Sequence, residues 1–173
     1  MFQIHLHLND ARHAIRRALA EIEREAEALC EDFKDYRKAI VERNRSRLQE
    51  GQGGYFALVL YFTPSMDSDA EVRGWTLRWN RADRVPGANG KRVTRYHAVR
   101  LRGSGKVHLQ SLLASAGEAG HEEAIAAFEE RARVLRALQK RYRGILESLD
   151  HQPPELHQLY RGENSRFPET TSA

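Results

Sequence analysis

Cysteine is almost missing from this chain of 173 residues: Cys30 stands alone. A lone cysteine has no intrachain disulfide partner, and it suits a reducing compartment, so a cytoplasmic location is expected. Long apolar runs are missing too. No stretch approaches the ~18 residues that cross a bilayer, so neither a membrane-spanning helix nor a membrane partner is expected. Residues 1–17 place no basic run ahead of an apolar one, unlike a secretory leader.

The residue groupings of common chemistries are also incomplete. His5 and His7 share a spacing suited to one strand, but no cysteine or carboxylate cluster completes a ligand set. His121, Glu122 and Glu123 lack the second histidine four residues on that a zinc helix needs. Gly103, Ser104, Gly105 and Lys106 resemble the end of a phosphate-cradling loop, yet the full spacing is absent and Val107 offers no hydroxyl for magnesium. The glycine-rich stretch serves either as a connector or as a simple anion contact at a helix start. Tyr96 and His97 lie near Arg95 and Arg100, but a tyrosine nucleophile also needs a general acid and converging arginines. Tyr96 therefore reads as a packing or stacking residue. No metal, no cofactor and no enzymatic activity are expected.

Charge, by contrast, is abundant and uneven. Lys and Arg number 28 against 24 Asp and Glu, a net +4. Between Val72 and Lys106 lie Arg73, Arg78, Arg81, Arg84, Lys91, Arg92, Arg95, Arg100, Arg102 and Lys106, ten bases opposed only by Asp83, a local +9. The rest of the chain holds 18 bases and 23 acids, a net −5. Such a block is the footprint of a polyanion-binding surface. It falls on strand-patterned sequence, so the pleated scaffold is expected to gather the arginines onto one rigid platform facing water.

The pattern predicts an α+β fold in which long terminal helices, arranged like a coiled-coil hairpin, flank a three-stranded antiparallel sheet and a short helix. Residues 9–50 form the first helix, with Asn9 or Asp10 as its cap. Its apolar stripe, Ile15, Leu19, Ile22, Ala26, Leu29, Phe33, Tyr36 and Ile40, steps by four and three. A matching stripe, Ile125, Phe128, Ala132, Leu135, Tyr142 and Leu149, lies on a helix over 118–149. The two pair within one chain or between chains of a homodimer. Strands are expected over 55–62, 72–81 and 92–101, and a short helix over 107–116. The first, YFALVLYF, is apolar throughout and reads as a buried central strand. The second alternates, with Trp75, Leu77 and Trp79 facing a core and Thr76, Arg78 and Asn80 facing away. The third has mixed parity, and its core side stays open. Residues 83–90 read as a turn. Residues 1–150 form one domain, and 151–173 form a flexible tail.

Trp75, Thr76, Leu77, Arg78 and Trp79, then a glycine-containing turn, Arg95 and Tyr96, a basic glycine-rich connector and a Glu-rich helix with late arginines form a series. This series resembles the MobI-type proteins of conjugative transfer. The likeness covers about residues 10–148, with the strand 55–62 and the tail less similar. It implies action at an origin of transfer, where such a protein binds duplex DNA and helps the relaxase begin processing. The matching positions are Trp75, Arg78, Trp79, Arg95, Tyr96, Arg102 and Lys106. On that basis Arg78, Arg95 and Arg100 are candidate readers of guanine edges, because a β-ribbon fits the major groove. Arg73, Arg81, Arg84, Lys91, Arg92, Arg102 and Lys106 are candidate phosphate contacts. The competing expectation is a coiled-coil adaptor whose basic sheet docks an acidic protein. Exposed indoles beside the arginines would favour that protein partner, or a single strand, over a duplex.

Overall fold

The computed structural model describes residues 2–49, 56–65, 74–89, 91–99, 109–117 and 119–151. The elements in order are α1 (Phe2–Gln49), β1 (Leu58–Pro64), β2 (Trp75–Pro86), β3 (Arg92–Ala98), α2 (Leu109–Ala116) and α3 (Glu122–Asp150). Three helices accompany one antiparallel sheet of order β1-β2-β3, so the α+β class is as expected.

α1 has 48 residues, roughly 72 Å at 1.5 Å per residue. It starts ahead of the expected cap because neither glycine nor proline stands between Phe2 and Gln49 to interrupt it. Asn9 lies inside the helix, where its Oδ1 accepts a hydrogen bond from Arg12 Nη1 at 3.3 Å. Leu19, Ile22, Ala26, Leu29, Phe33 and Ile40 are buried, as the four–three spacing predicts.

α3 runs antiparallel to α1. Arg12 Nε meets Asp150 Oδ1 at 3.0 Å near one end. Arg131 meets Asp32 at 3.2 Å, and Tyr36 shares a 2.7 Å hydrogen bond with His121 at the other end. The α1 stripe is divided between two partners. The Phe33 ring stands edge-on to Phe128 of α3 at 5.0 Å and to Trp79 of β2 at 4.7 Å. Helix and sheet thus share one core, with Phe56, Leu58, Leu112 and Ile125 also fully buried.

Two strand expectations change. β1 lies at an edge, and β2, which bonds to both neighbours, is central. A strand covered by helices is as apolar as one flanked by strands, which explains the misplacement. β2 also continues to Pro86, through half of the expected turn. Proline lacks a ladder donor and is tolerated at the end of such a strand. The hairpin closes where Gly87 N–H donates to the Lys91 carbonyl at 2.8 Å. A Cβ at Gly87 would lie 2.7 Å from that carbonyl oxygen, so the turn admits only glycine without shifting.

The register explains the shape that follows. β1 pairs with β2 from Leu58↔Arg81 to Pro64↔Trp75. β3 pairs with β2 from Asn80↔Ala98 to Pro86↔Arg92. Beyond Arg81 the sheet is therefore two strands wide, a ribbon roughly 17 Å long at 3.3 Å per residue. Every residue of β3 is exposed.

Candidate nucleic-acid interface

The ribbon grows from a rigid root. Trp75, Leu77 and Trp79 alternate inward and are buried, as expected, so neither indole lies beside the arginines. The Trp79 indole N–H donates to Glu129 Oε2 at 2.6 Å, and Arg136 Nη2 donates to Glu129 Oε1 at 2.6 Å. Arg136 also reaches the Leu77 carbonyl at 3.4 Å, and Gln139 Nε2 donates to the Trp75 carbonyl at 2.9 Å. α3 thus grips the backbone of β2 on the residues that face it. Glu129 was not among the residues singled out from the sequence, yet it is buried. Its spacing was the available signal, since Ile125, Glu129, Ala132 and Arg136 fall at i, i+4, i+7 and i+11 on one helix face.

The basic residues of the ribbon do not form the expected single platform. Side chains alternate along a strand, and directly paired residues share a face. Arg78, Arg84 and Arg92 share one face with Tyr61, Ala82 and Tyr96, while Arg81 and Arg95 share the other with Asp83 and His97. Lys91 stands at the turn. The parity change that places arginines on both faces comes from odd-numbered steps, such as the three-residue steps from 81 to 84 and from 92 to 95. Past Ala82, which is buried at the root, the ribbon residues are exposed or half-buried on both faces, so neither face requires an apolar pattern.

Asp83 is the local counter-charge. It lies 2.9 Å from Arg81 and 3.7 Å from His97, and faces Arg95 across the ladder. Arg81, Arg84, Lys91, Arg92 and Arg95 against Asp83 leave the ribbon at a net +4. No ion pair among the described residues holds Lys91, Arg92 or Arg95. Arg73, Arg100, Arg102 and Lys106 lie outside the described residues, as do the glycine-rich connector and the expected tail from 152 onward.

Among the described residues no group of three or more His, Cys, Asp or Glu side chains is placed to hold a metal ion. No helix there is long and apolar enough to cross a membrane. Burial pushes the Cys30 thiol up to about 12, with Glu31 and Glu27 adding to the rise. The thiolate is the reactive form, so the group stays protonated and inert through neutral pH. Alkylation by iodoacetamide at about pH 8 is expected to run about 10³-fold slower than for an exposed cysteine, and to accelerate only in strong alkali. Mass spectrometry of timed samples reads this directly, and modification at an ordinary thiol rate would contradict it.

A scan against protein-family models, a search of curated proteins and a search of solved structures each return no match.

Proposed function

We propose that this chain is a non-enzymatic DNA-binding protein that lays its β2–β3 ribbon into a groove of duplex DNA. One observation carries the reading: a two-stranded ribbon with net charge +4, its β3 strand exposed throughout, extends from a root fixed by Trp79, Glu129 and Arg136. A flat platform would touch DNA with one side only. A ribbon within a groove has phosphates on either hand, so arginines on opposite faces both find partners. Arg78 and Arg95, with Arg100, are the candidate base readers, and Arg81, Arg84, Lys91 and Arg92 the candidate phosphate contacts. The resemblance to MobI-type proteins directs this activity to an origin of transfer, with the relaxase as the protein partner.

The buried indoles weigh against the acidic-protein alternative, because aromatic anchors dominate such interfaces and these two are sealed inside. Of the apolar helix stripes, Leu19, Ile22, Ala26, Leu29, Phe33, Ile40, Ile125 and Ala132 are buried within the fold.

Duplex affinity should fall steeply with salt, with a log–log slope of roughly −5 if about six phosphates are neutralised. A gel-shift series between about 50 and 300 mM salt measures the slope. Flat binding across that range, or none to any duplex, would end the proposal.

A further inference from the structure

Beside the root of the ribbon lies a groove of about 640 Å³ between α1 and β1, with Tyr96 of β3 at its margin. Its wall on α1 runs from Glu27 to Arg37, ten residues or roughly 15 Å of helix. Three kinds of group line it. The Tyr61 and Tyr96 rings meet edge to face at 5.5 Å and 83°, and Tyr96 is 52% exposed. Arg37 supplies a cation whose Nε is buried without a hydrogen-bond partner, and no described carboxylate lies within ion-pair distance of it. Lys34, by contrast, is already paired with Glu31 at 2.8 Å. Glu27 is exposed and forms no ion pair among the described residues. Just across the ladder from Tyr61, outside the groove lining, stands Arg78, whose guanidinium donates to Thr76 Oγ1 at 3.0 Å.

Aromatic faces, an unpaired guanidinium and an acid spaced along about 15 Å of helix match the parts of a nucleotide. We propose that this groove holds an unpaired nucleotide of a single-stranded nucleic acid. The base stacks on Tyr61 and Tyr96, the phosphate lies on Arg37, and Glu27 accepts from the exocyclic amino group of the base. A duplex hides its base faces and is far too wide for the space, whereas single-strand binding combines aromatic stacking with a cationic track. Burial and a hydrogen bond with Tyr96 raise the Tyr61 phenol above its ordinary value, so no phenolate repels the phosphate at working pH. The inference deepens the duplex reading and rests on it, because a strand opened beside a ribbon-bound duplex is the one that reaches this groove.

The test uses the full chain and fluorescence anisotropy at one salt concentration. Three labelled DNAs are compared: a blunt duplex, the same duplex with a single-stranded extension of about six nucleotides, and the extension alone. The extension is expected to tighten binding about tenfold or more, and cytosine should outdo thymine, which lacks the amino donor. Arg37→Gln and Tyr61→Leu should each erase that gain and leave blunt-duplex affinity unchanged, whereas Tyr61→Phe, which keeps the ring, should retain most of it. Thermal melts matching the parent tie these losses to the groove. No gain from the extension, or equal losses on blunt and extended DNA, overturns the groove. Binding to the extension alone without any blunt-duplex binding overturns the ribbon reading and keeps the groove.

Discussion

Glu129→Ala is expected to destabilise the protein by about 3–5 kcal/mol, the range for removing one member of a buried ion pair. For a chain of this size that corresponds to a fall of roughly 6–20 °C in Tm. The carboxylate accepts hydrogen bonds from both the Trp79 indole and Arg136. Its loss leaves the indole N–H without its acceptor and the guanidinium with only the long bond to the Leu77 carbonyl, and the cost comes from those stripped groups. Glu129→Gln keeps an acceptor for one donor but loses the charge and the second acceptor, so it should cost about half as much. Replacing Glu129 and Arg136 together with leucine and methionine should recover much of the loss, since apolar pairs of similar volume often match buried ion pairs. Circular dichroism melts of the three variants check the ordering. A loss below about 1 kcal/mol for the alanine variant would place the pair at the surface in solution.

The second large effect is on binding. Reversing both charges at the ribbon tip, Lys91→Glu with Arg92→Glu, should weaken duplex affinity by about 10²-fold or more at roughly 150 mM salt, for every sequence tested. Both residues are exposed and neither holds an ion pair among the described residues, so the melting temperature should barely move. That separation of affinity from stability is what distinguishes a docking arm from a structural hairpin. Unchanged affinity in the reversed variant would remove the ribbon from the interface. A general loss of fold would instead make the tip part of the core assembly.

The two-element logic of the fold was legible where burial imposes a period. The steps of three and four from Leu19 to Phe33, and the alternation of Trp75, Leu77 and Trp79, each predicted the buried residues. Legibility failed where burial stops. Arg84, Val85 and Pro86 look like turn residues because none of them is buried in the core, yet they pair in register with β3. The apolar character of β1 could not reveal whether helix or strand covered its outer flank. The basic ribbon was readable as charge and unreadable as shape, because the sequence counts arginines but a solvent-facing ribbon imposes no rule on which side each one takes. The Tyr61–Tyr96–Arg37 groove was invisible for a different reason: it brings together residues 37, 61 and 96, and no local spacing links them.

The sealed indoles give the protein a built-in optical gauge. Trp75 and Trp79 are its only tryptophans, and both are shielded from water. Their emission should therefore shift to the red when the whole assembly comes apart and stay nearly constant when a ligand docks on the arm. Fluorescence excited in the indole band reports the integrity of the scaffold, and any extrinsic label must be placed on the hairpin to follow what it touches.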